Sequence, residues 1–304
     1  MKALVVGGTG FMGRHIVDGL LADGWEVASL SLNDPGGAAR AGVHYLMADL
    51  RDRQAVQKAI GNTDYEYVVN CGGYIYHMPY FEGGHDIVSQ HLGGLQNLVE
   101  SLNRDSLRCF LNFGSSDEYG GNPAPQNESM REAPISPYSY AKTAATHFLQ
   151  MLYRTQKLPA VTFRIFLTYG PGQDDRRFIP QIVKGCLRGD RFPTSEGGQL
   201  RDFLYVDDLV QAVRILPDCE AAAGEVLNVA SGAPVSIRAM IESVQRLVGS
   251  GTPAFGEVPY RPGENMELYA NTELAWRVLG WKASTGLDEG LTRTIEYYRE
   301  RLEQ

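Results

Sequence analysis

The stretch Lys2-Ala-Leu-Val-Val-Gly7-Gly-Thr-Gly10-Phe-Met-Gly13-Arg-His-Ile decides the fold. Ala3, Leu4, Val5 and Val6 form an unbroken apolar run, which suits a strand covered on both faces. The glycines at 7, 10 and 13 lead straight into an amphipathic run over 16–21. A strand, a glycine-rich turn and a helix N-terminus, in that order, make a seat for a dinucleotide pyrophosphate. Glycine lets the backbone come close to phosphate, and the free N–H groups and positive end of the helix dipole meet its charge. The spacing is Gly-x-x-Gly-x-x-Gly, looser than the Gly-x-Gly-x-x-Gly fingerprint, and a tight turn without a ligand can share it. Its place after a buried strand favours the cofactor, with Gly7, Thr9, Gly10, Phe11, Met12 and Gly13 as candidate contacts.

Outward from this turn, short apolar runs at 3–6, 26–32, 44–47, 67–71, 109–113 and 160–166 alternate with helical patterns at 13–22, 53–60, 88–102 and 139–154. That alternation predicts an α/β fold with a doubly wound, mostly parallel sheet of Rossmann type. After Tyr169 the pattern changes. Two further strands are expected at 203–206 and 226–229, and helices at 237–248, 272–279 and 289–302. The predicted division is a cofactor domain over 1–166 plus about 201–232, and a smaller C-terminal lobe over 167–200 and 233–304.

The 304 residues carry a formal charge of −8 with no Lys/Arg block, which argues against nucleic acid and anionic membranes as partners. An anionic ligand must then be met by a few local arginines. No apolar run nears the roughly 20 residues of a membrane span, and the N-terminus reads as a strand, not a signal segment; a cytoplasmic location is expected. Cys71, Cys109, Cys186 and Cys219 are dispersed and the histidines form no ligand spacing, so reduced thiols and no metal are expected.

The end of the second strand bears on cofactor choice, because an acid there binds the ribose 2′-hydroxyl of NAD. Here it reads Ser29-Leu-Ser31-Leu-Asn33-Asp34. With Ser31 at that position the acid is missing and a 2′-phosphate is admitted, with Arg40 as a distal cation; Asp34 serves if the strand runs longer. The balance leans to NADP(H). Asp49-Leu50, after the third strand, is placed either to accept from an adenine amino group or as a solvated turn.

Asn112-Phe-Gly-Ser115-Ser116-Asp117-Glu118-Tyr119-Gly120 follows a strand, and Ser136-Pro-Tyr138-Ser-Tyr-Ala-Lys142 opens the next long helix. Tyr138 and Lys142, four apart, share a helix face. A tyrosine pKa of about 10 must fall by about three units, roughly 4 kcal/mol, for phenolate to form near neutrality, and a lysine ammonium and a cationic nicotinamide both favour it. Tyr138 would then pass a proton to or from a substrate oxygen as hydride moves, with Ser115 donating a hydrogen bond to that oxygen.

With these residues in place the chain resembles the extended short-chain dehydrogenase/reductase family, and within it the NAD(P)-dependent nucleotide-sugar epimerases, dehydratases and 4-ketoreductases. The resemblance runs over nearly the whole chain, through Asp49-Leu50, Arg164, Tyr169-Gly-Pro171, Arg201-Asp-Phe-Leu-Tyr-Val-Asp207-Asp208, Asn228-Val-Ala-Ser-Gly232 and Arg261-Pro-Gly-Glu264. It implies a nucleotide-diphosphate sugar as substrate, a Ser115–Tyr138–Lys142 site, a diphosphate clamp of Arg201 and Arg261, and Ser116 and Asp117 beside the sugar. Relatives implied by it often dimerise through two helices per subunit, here 88–102 and 139–154, with Leu92, Leu95, Val99, Phe148, Leu149 and Leu152 as apolar surface or as ordinary packing on the sheet.

Three departures narrow the expectation. His91 and Leu167 stand where such enzymes often have Asn, and the Asp-Glu pair that follows the catalytic Thr of dehydratases is Ser116-Asp117 here, with Glu118 expected to be structural or solvated. The motif Gly-Ser-Ser-Asp-Glu-Tyr-Gly is closer to reductases of 4-keto-6-deoxy nucleotide sugars. The expected activity is therefore reduction at C4 first, 4-epimerisation with tightly held NAD second and 4,6-dehydration third, with a cofactor-binding regulatory protein as the non-enzymatic alternative.

Overall fold

The computed structural model describes residues 1–261 and 263–303. Six strands, β1 (Lys2–Val6), β2 (Glu26–Ser31), β3 (Val43–Met47), β4 (Tyr67–Asn70), β5 (Cys109–Ser115) and β6 (Ala160–Ile165), alternate with helices. The helices are α1 (Phe11–Ala22), α2 (Arg53–Ile60), α3 (Gly84–Val88), α4 (Gly94–Ser101) and α5 (Pro137–Gln156). All six strands are parallel, and the sheet is completed to seven in the spatial order late strand, β6, β5, β4, β1, β2, β3. The late strand expected at 226–229 is present as Val226–Val229 and pairs with β6. Side chains of β1 alternate between the two faces: Ala3 and Val5 pack with Ile16 of α1, whereas Leu4 and Val6 pack with Leu98 of α4 and Leu149 of α5. Burial on both sides is why this strand reads as an unbroken apolar run.

The register Val6↔Leu30, Val6↔Asn70 and Asn70↔Asn112 brings the carboxyl ends of β2, β1, β4 and β5 level. The chain winds outward from β1 in both directions, so a crevice opens at that edge between β1 and β4, the usual place for a ligand in an open parallel sheet.

The helix expected over 88–102 is instead three pieces: α3, a π-helical turn Ser89–Gly93, and α4. A Cβ on Gly94 would stand 2.9 Å from Leu50 Cβ, so the chain turns inward there, and the wide turn carries His91 into the interior. Leu95, Val99, Leu149 and Leu152, two on each helix thought to face a partner, are buried in the sheet core. Phe148 packs against that core from its edge.

Beyond β6 the chain builds a second layer from β7 (Leu167–Tyr169), α6 (Phe178–Leu187), β8 (Arg191–Pro193) and β9 (Leu200–Tyr205), then comes back through α7 (Val206–Ile215), whose Leu209 and Val213 lie in the core of the large sheet with Ile16 of α1. It joins the large sheet as β10 (Val226–Val229) and leaves again as β11 (Pro234–Ser236), α8 (Ile237–Val248), β12 (Thr252–Ala254) and β13 (Glu267–Leu268); α9 (Glu273–Leu279) puts Ala275 into the large sheet's core, and α10 (Leu287–Leu302) ends the chain's elements. β9 is the hub of a small sheet, flanked by β7, β11 and β13, and β8 pairs with β12. Tyr169, Ile182, Tyr205, Val244 and Leu291 form the core of this layer. Among the described residues no helix is long and apolar enough to cross a membrane.

Candidate functional site

The glycine turn is built by contact. Gly7 has φ +83°, and a Cβ there would lie 2.7 Å from Gly72 Cα; one on Gly13 would lie 2.1 Å from Gly7 O. Gly10 caps α1 with no side chain, and the first turn holds no acid. The helix N-terminus is thus left to meet an anion with its own N–H groups. This cradle, which any Cβ would fill, fits the dinucleotide that the spacing predicts.

A cavity of about 210 Å³ opens beside it, lined by Gly7, Thr9, Gly10, Ser31, Asp49, Leu50 and Lys142 among the residues expected. The side chains of Phe11 and Met12 pack elsewhere, Phe11 edge-on to His15 at 5.7 Å and Met12 against the core of the large sheet, which leaves their backbone N–H groups in the first turn of α1. Ser31 ends β2, and its Oγ accepts from Thr9 at 3.1 Å. Asp34 is spent on its own turn, accepting Gly36 N–H at 2.7 Å, so no acid occupies the strand end. Arg40 pairs with Asp18 at 3.1 Å on the surface. Asp49 is clamped by Arg51, whose Nη2 lies 2.7 Å from Oδ2 and whose Nε lies 3.1 Å from both carboxylate oxygens. That bidentate pair depresses the Asp49 pKa, and a carboxylate so engaged is less open to an adenine amino group than the sequence suggested.

Asn70 and Asn112, cross-strand neighbours in register, also line the cavity, and the sequence reading passed over both. Asn70 Nδ2 donates to Asn112 Oδ1 at 2.9 Å, leaving Asn70 Oδ1 and Asn112 Nδ2 buried without a protein partner.

Ser115 closes β5 and caps a short turn, Ser116–Tyr119. Its Oγ accepts the Asp117 N–H at 3.1 Å, which leaves the hydroxyl hydrogen to donate toward the Tyr138 phenol. Pro137 at the first helical position and a reciprocal Ser136/Ser139 cap fix the start of α5, one residue before Tyr138. Lys142, one turn on, donates from Nζ to Phe113 O at 2.6 Å and stands 5.8 Å from the Tyr138 ring centroid. The triad is brought together as expected.

Its electrostatics differ from the expectation. Burial holds the Tyr138 phenol well above its usual value; Asp117 and Glu118 push it higher still, while the Ser115 hydrogen bond and Arg177 oppose them. Burial lowers Lys142 to about 8, against the pull of Glu118 and Cys71. Lys142, spent on the Phe113 carbonyl, is not among the groups that favour phenolate at Tyr138, and burial dominates there.

Two imidazoles flank Tyr138, His91 at 5.2 Å and His77 at 5.5 Å, both edge-on. His91 is buried, bonds through Nε2 to Tyr74 O at 3.0 Å, and is held down to about 3 by burial and by Lys142. Nε2 must donate to that carbonyl, so the ring is neutral with its hydrogen on Nε2. His77 Nε2 stands 3.6 Å from Asp117 Oδ2. Burial raises the Asp117 pKa, against His77 and Arg201, so this carboxyl feels both the Tyr138 end and the Arg201 end of the site. Ser116, beside it, is buried.

Arg201 is buried in β9, with Nη1 on Leu200 O at 2.8 Å and Nη2 on Glu264 Oε1 at 2.5 Å. Arg261 is exposed, and its carbonyl accepts Glu264 N–H at 3.0 Å. The two arginines therefore share Glu264 as a neighbour, an acid the sequence reading included in the motif without giving it a role. Leu167 packs into the core of the small layer.

Residues 3–230 match a family model described as the NAD dependent epimerase/dehydratase family. A probable dTDP-glucose 4,6-dehydratase from Sinorhizobium fredii is 28% identical, the match covering 99% of this chain and 93% of that protein. The crystal structure of UDP-glucose 4-epimerase with UDP-glucose from Thermotoga maritima superposes with a TM-score of 0.91 at 25% identity, covering 99% of this chain and 100% of that one. MoeE5 in complex with UDP-glucose and NAD gives 0.88 at 27% identity, with 99% and 100% covered.

Proposed function

This chain belongs to the NAD-dependent epimerase/dehydratase family, and from that premise we propose that it reduces a 4-keto group on a nucleotide-diphosphate hexose, with a 4-keto-6-deoxy sugar as the first choice. The observation that carries the proposal is Ser116-Asp117 standing in place of the Asp-Glu pair of dehydratases, directly after Ser115 at the end of β5. Reduction of a ketone needs an acid at the oxygen, and the Tyr138 phenol is placed to be that acid.

A dinucleotide held at the Gly7–Gly13 turn would supply the hydride for C4. Tyr138 gives its proton to O4, Ser115 donates a hydrogen bond to the same oxygen, and Lys142, donating to the Phe113 carbonyl, ties α5 to β5 beside them. The Ser116-Asp117 sequence in place of an Asp-Glu pair supports reduction over dehydration. Relatives named as 4-epimerases keep 4-epimerisation as the second reading.

Three finer assignments go with this reading. The absence of an acid at the end of β2 supports NADP(H), against the NAD bound in neighbours such as MoeE5. Arg201, released from Glu264, and Arg261, from the lobe over 167–200 and 233–304, hold the substrate diphosphate between them. Homodimer formation through α4 and α5 uses the outward residues of α5, Tyr140 and Met151, and not the leucines buried behind them.

The test is a 4-keto-6-deoxy sugar nucleotide added with NADPH and, separately, NADH. Stoichiometric cofactor oxidation is expected, faster with NADPH and abolished in Tyr138→Phe with binding intact. Catalytic interconversion of 4-epimers without net cofactor use would replace this reading with epimerisation. Binding without turnover by the parent protein would point to a regulatory role.

A further inference from the structure

Glu118 is fully buried, three residues after Ser115. Its Oε1 accepts the Ser115 N–H at 2.9 Å, and its Oε2 accepts both the Thr146 hydroxyl and Arg164 Nε at 3.0 Å. One carboxylate thus joins the end of β5, the α5 turn just beyond Lys142, and β6. The site is shaped for it: a Cβ on Gly114 would fall 2.4 Å from Glu118 Oε1. Arg164 is itself held, with Nη2 on Glu132 at 2.5 Å and its guanidinium 4.6 Å from the Tyr119 ring centroid. A buried carboxylate is tolerated only when its lone pairs are met this fully.

We propose that Glu118 is a positioning residue for Ser115, Tyr138 and Lys142, a charged bracket that fixes the serine turn against the helix bearing the other two. It acts through geometry and through its field. The bracket sets the distance from the Ser115 hydroxyl to the Tyr138 phenol, because Ser115 hangs from Oε1 while Thr146, on the same helix as Tyr138, hangs from Oε2. Its negative charge disfavours phenolate at Tyr138 and favours ammonium at Lys142, the two states a proton donor and its neighbour require. The other groups facing Tyr138 are Asp117, Arg177, the Ser115 hydroxyl and the imidazoles of His77 and His91. Those facing Lys142 are Cys71, His91 and the Phe113 carbonyl. Glu118 is the acid that acts on both.

The proposal rests on the assignment of Ser115, Tyr138 and Lys142 as the reacting group, so one readout is chosen that needs no substrate. Lysine is labelled with carbon-13 at Cε and titrated by NMR, and Lys142 is assigned by its loss in Lys142→Arg. A midpoint near 8 is expected in the parent and one lower by about one unit in Glu118→Gln, which keeps the side-chain shape and removes the charge. Thr146→Val cuts one arm and keeps the charge. Its Lys142 midpoint should match the parent, while kcat for the 4-keto substrate falls several-fold with KM within a factor of about two, since alignment is lost and binding is not. An unmoved Lys142 midpoint in Glu118→Gln overturns the electrostatic half. Unchanged kcat in Thr146→Val overturns the bracket, and that variant decides the matter if Glu118→Gln does not fold. A parent that turns over no 4-keto sugar refutes the proposed function and leaves the NMR result to judge Glu118.

Discussion

Replacing His91 with Asn should make the protein less sensitive to acid. In the folded state this imidazole is held near 3, whereas its ordinary value is 6.5. The folded protein therefore refuses a proton that the unfolded chain accepts. Above pH 6.5 neither state binds it and the histidine adds no pH dependence. As pH falls from 6.5 toward 3, the unfolded state gains the proton alone and stability drains away. At 1.36 kcal/mol per unit, the loss attributable to His91 is about 2 kcal/mol by pH 5 and about 5 kcal/mol across the whole span. Against a typical total stability of about 5–15 kcal/mol, one residue then governs much of the acid limb. The ring is buried, with its one hydrogen bond to Tyr74 O, so solvent screening does little to reduce the figure. The assay is urea unfolding of the parent and His91→Asn at pH 8 and pH 5. The variant should be weaker at pH 8, having lost the ring's packing against Tyr138, but its stability difference between the two pH values should be smaller by about 2 kcal/mol. Equal pH differences in the two proteins would refute the reasoning.

Two further outcomes are expected. Gly13→Ala drives a methyl into Gly7 O, with 2.1 Å between Cβ and oxygen; the turn must open, and dinucleotide affinity measured by calorimetry should fall below detection while circular dichroism stays near that of the parent. Arg201→Ala should weaken sugar-nucleotide binding by about 10- to 150-fold, as expected for a lost charge-assisted contact of about 1.5–3 kcal/mol, with dinucleotide affinity unchanged; an equal loss for both ligands would show that the variant had disturbed the fold instead.

The large sheet was legible in the sequence because β1, β4, β5 and β6 are buried on both faces and spell themselves out as apolar runs. The triad was legible for a different reason: Tyr138 and Lys142 lie within one helical turn, and Ser115 ends a strand. What hid was tertiary. α6 was missed because Pro180 sits in its run, yet Pro180 falls in the first turn, where its missing N–H has no intrahelical partner to lose. The two- and three-residue strands of the small sheets are too short for any alternation to register. His91 and His77 came to Tyr138 from 47 and 61 residues upstream, one through the wide turn at 89–93 and the other from an irregular segment, neither of which periodicity can foresee. Glu118, expected to be structural or solvated, did leave a trace: Ser115-x-x-Glu118 is a capping-box pattern, and following it would have favoured the structural place over the solvated one.

The late return of β10 to the large sheet has a consequence for how the protein is made. Until Val226–Val229 docks, β6 is an open edge whose residues, from Ala160 to Ile165, are buried in the finished structure. During synthesis that edge waits while the chain between β6 and β10 is translated, several seconds at about 5–20 residues per second. A bare apolar strand edge is a template for pairing with other chains. Nascent chains stalled or truncated between β6 and β10 should accordingly be aggregation-prone and need chaperones, whereas a break after β10 leaves β6 covered by its partner strand.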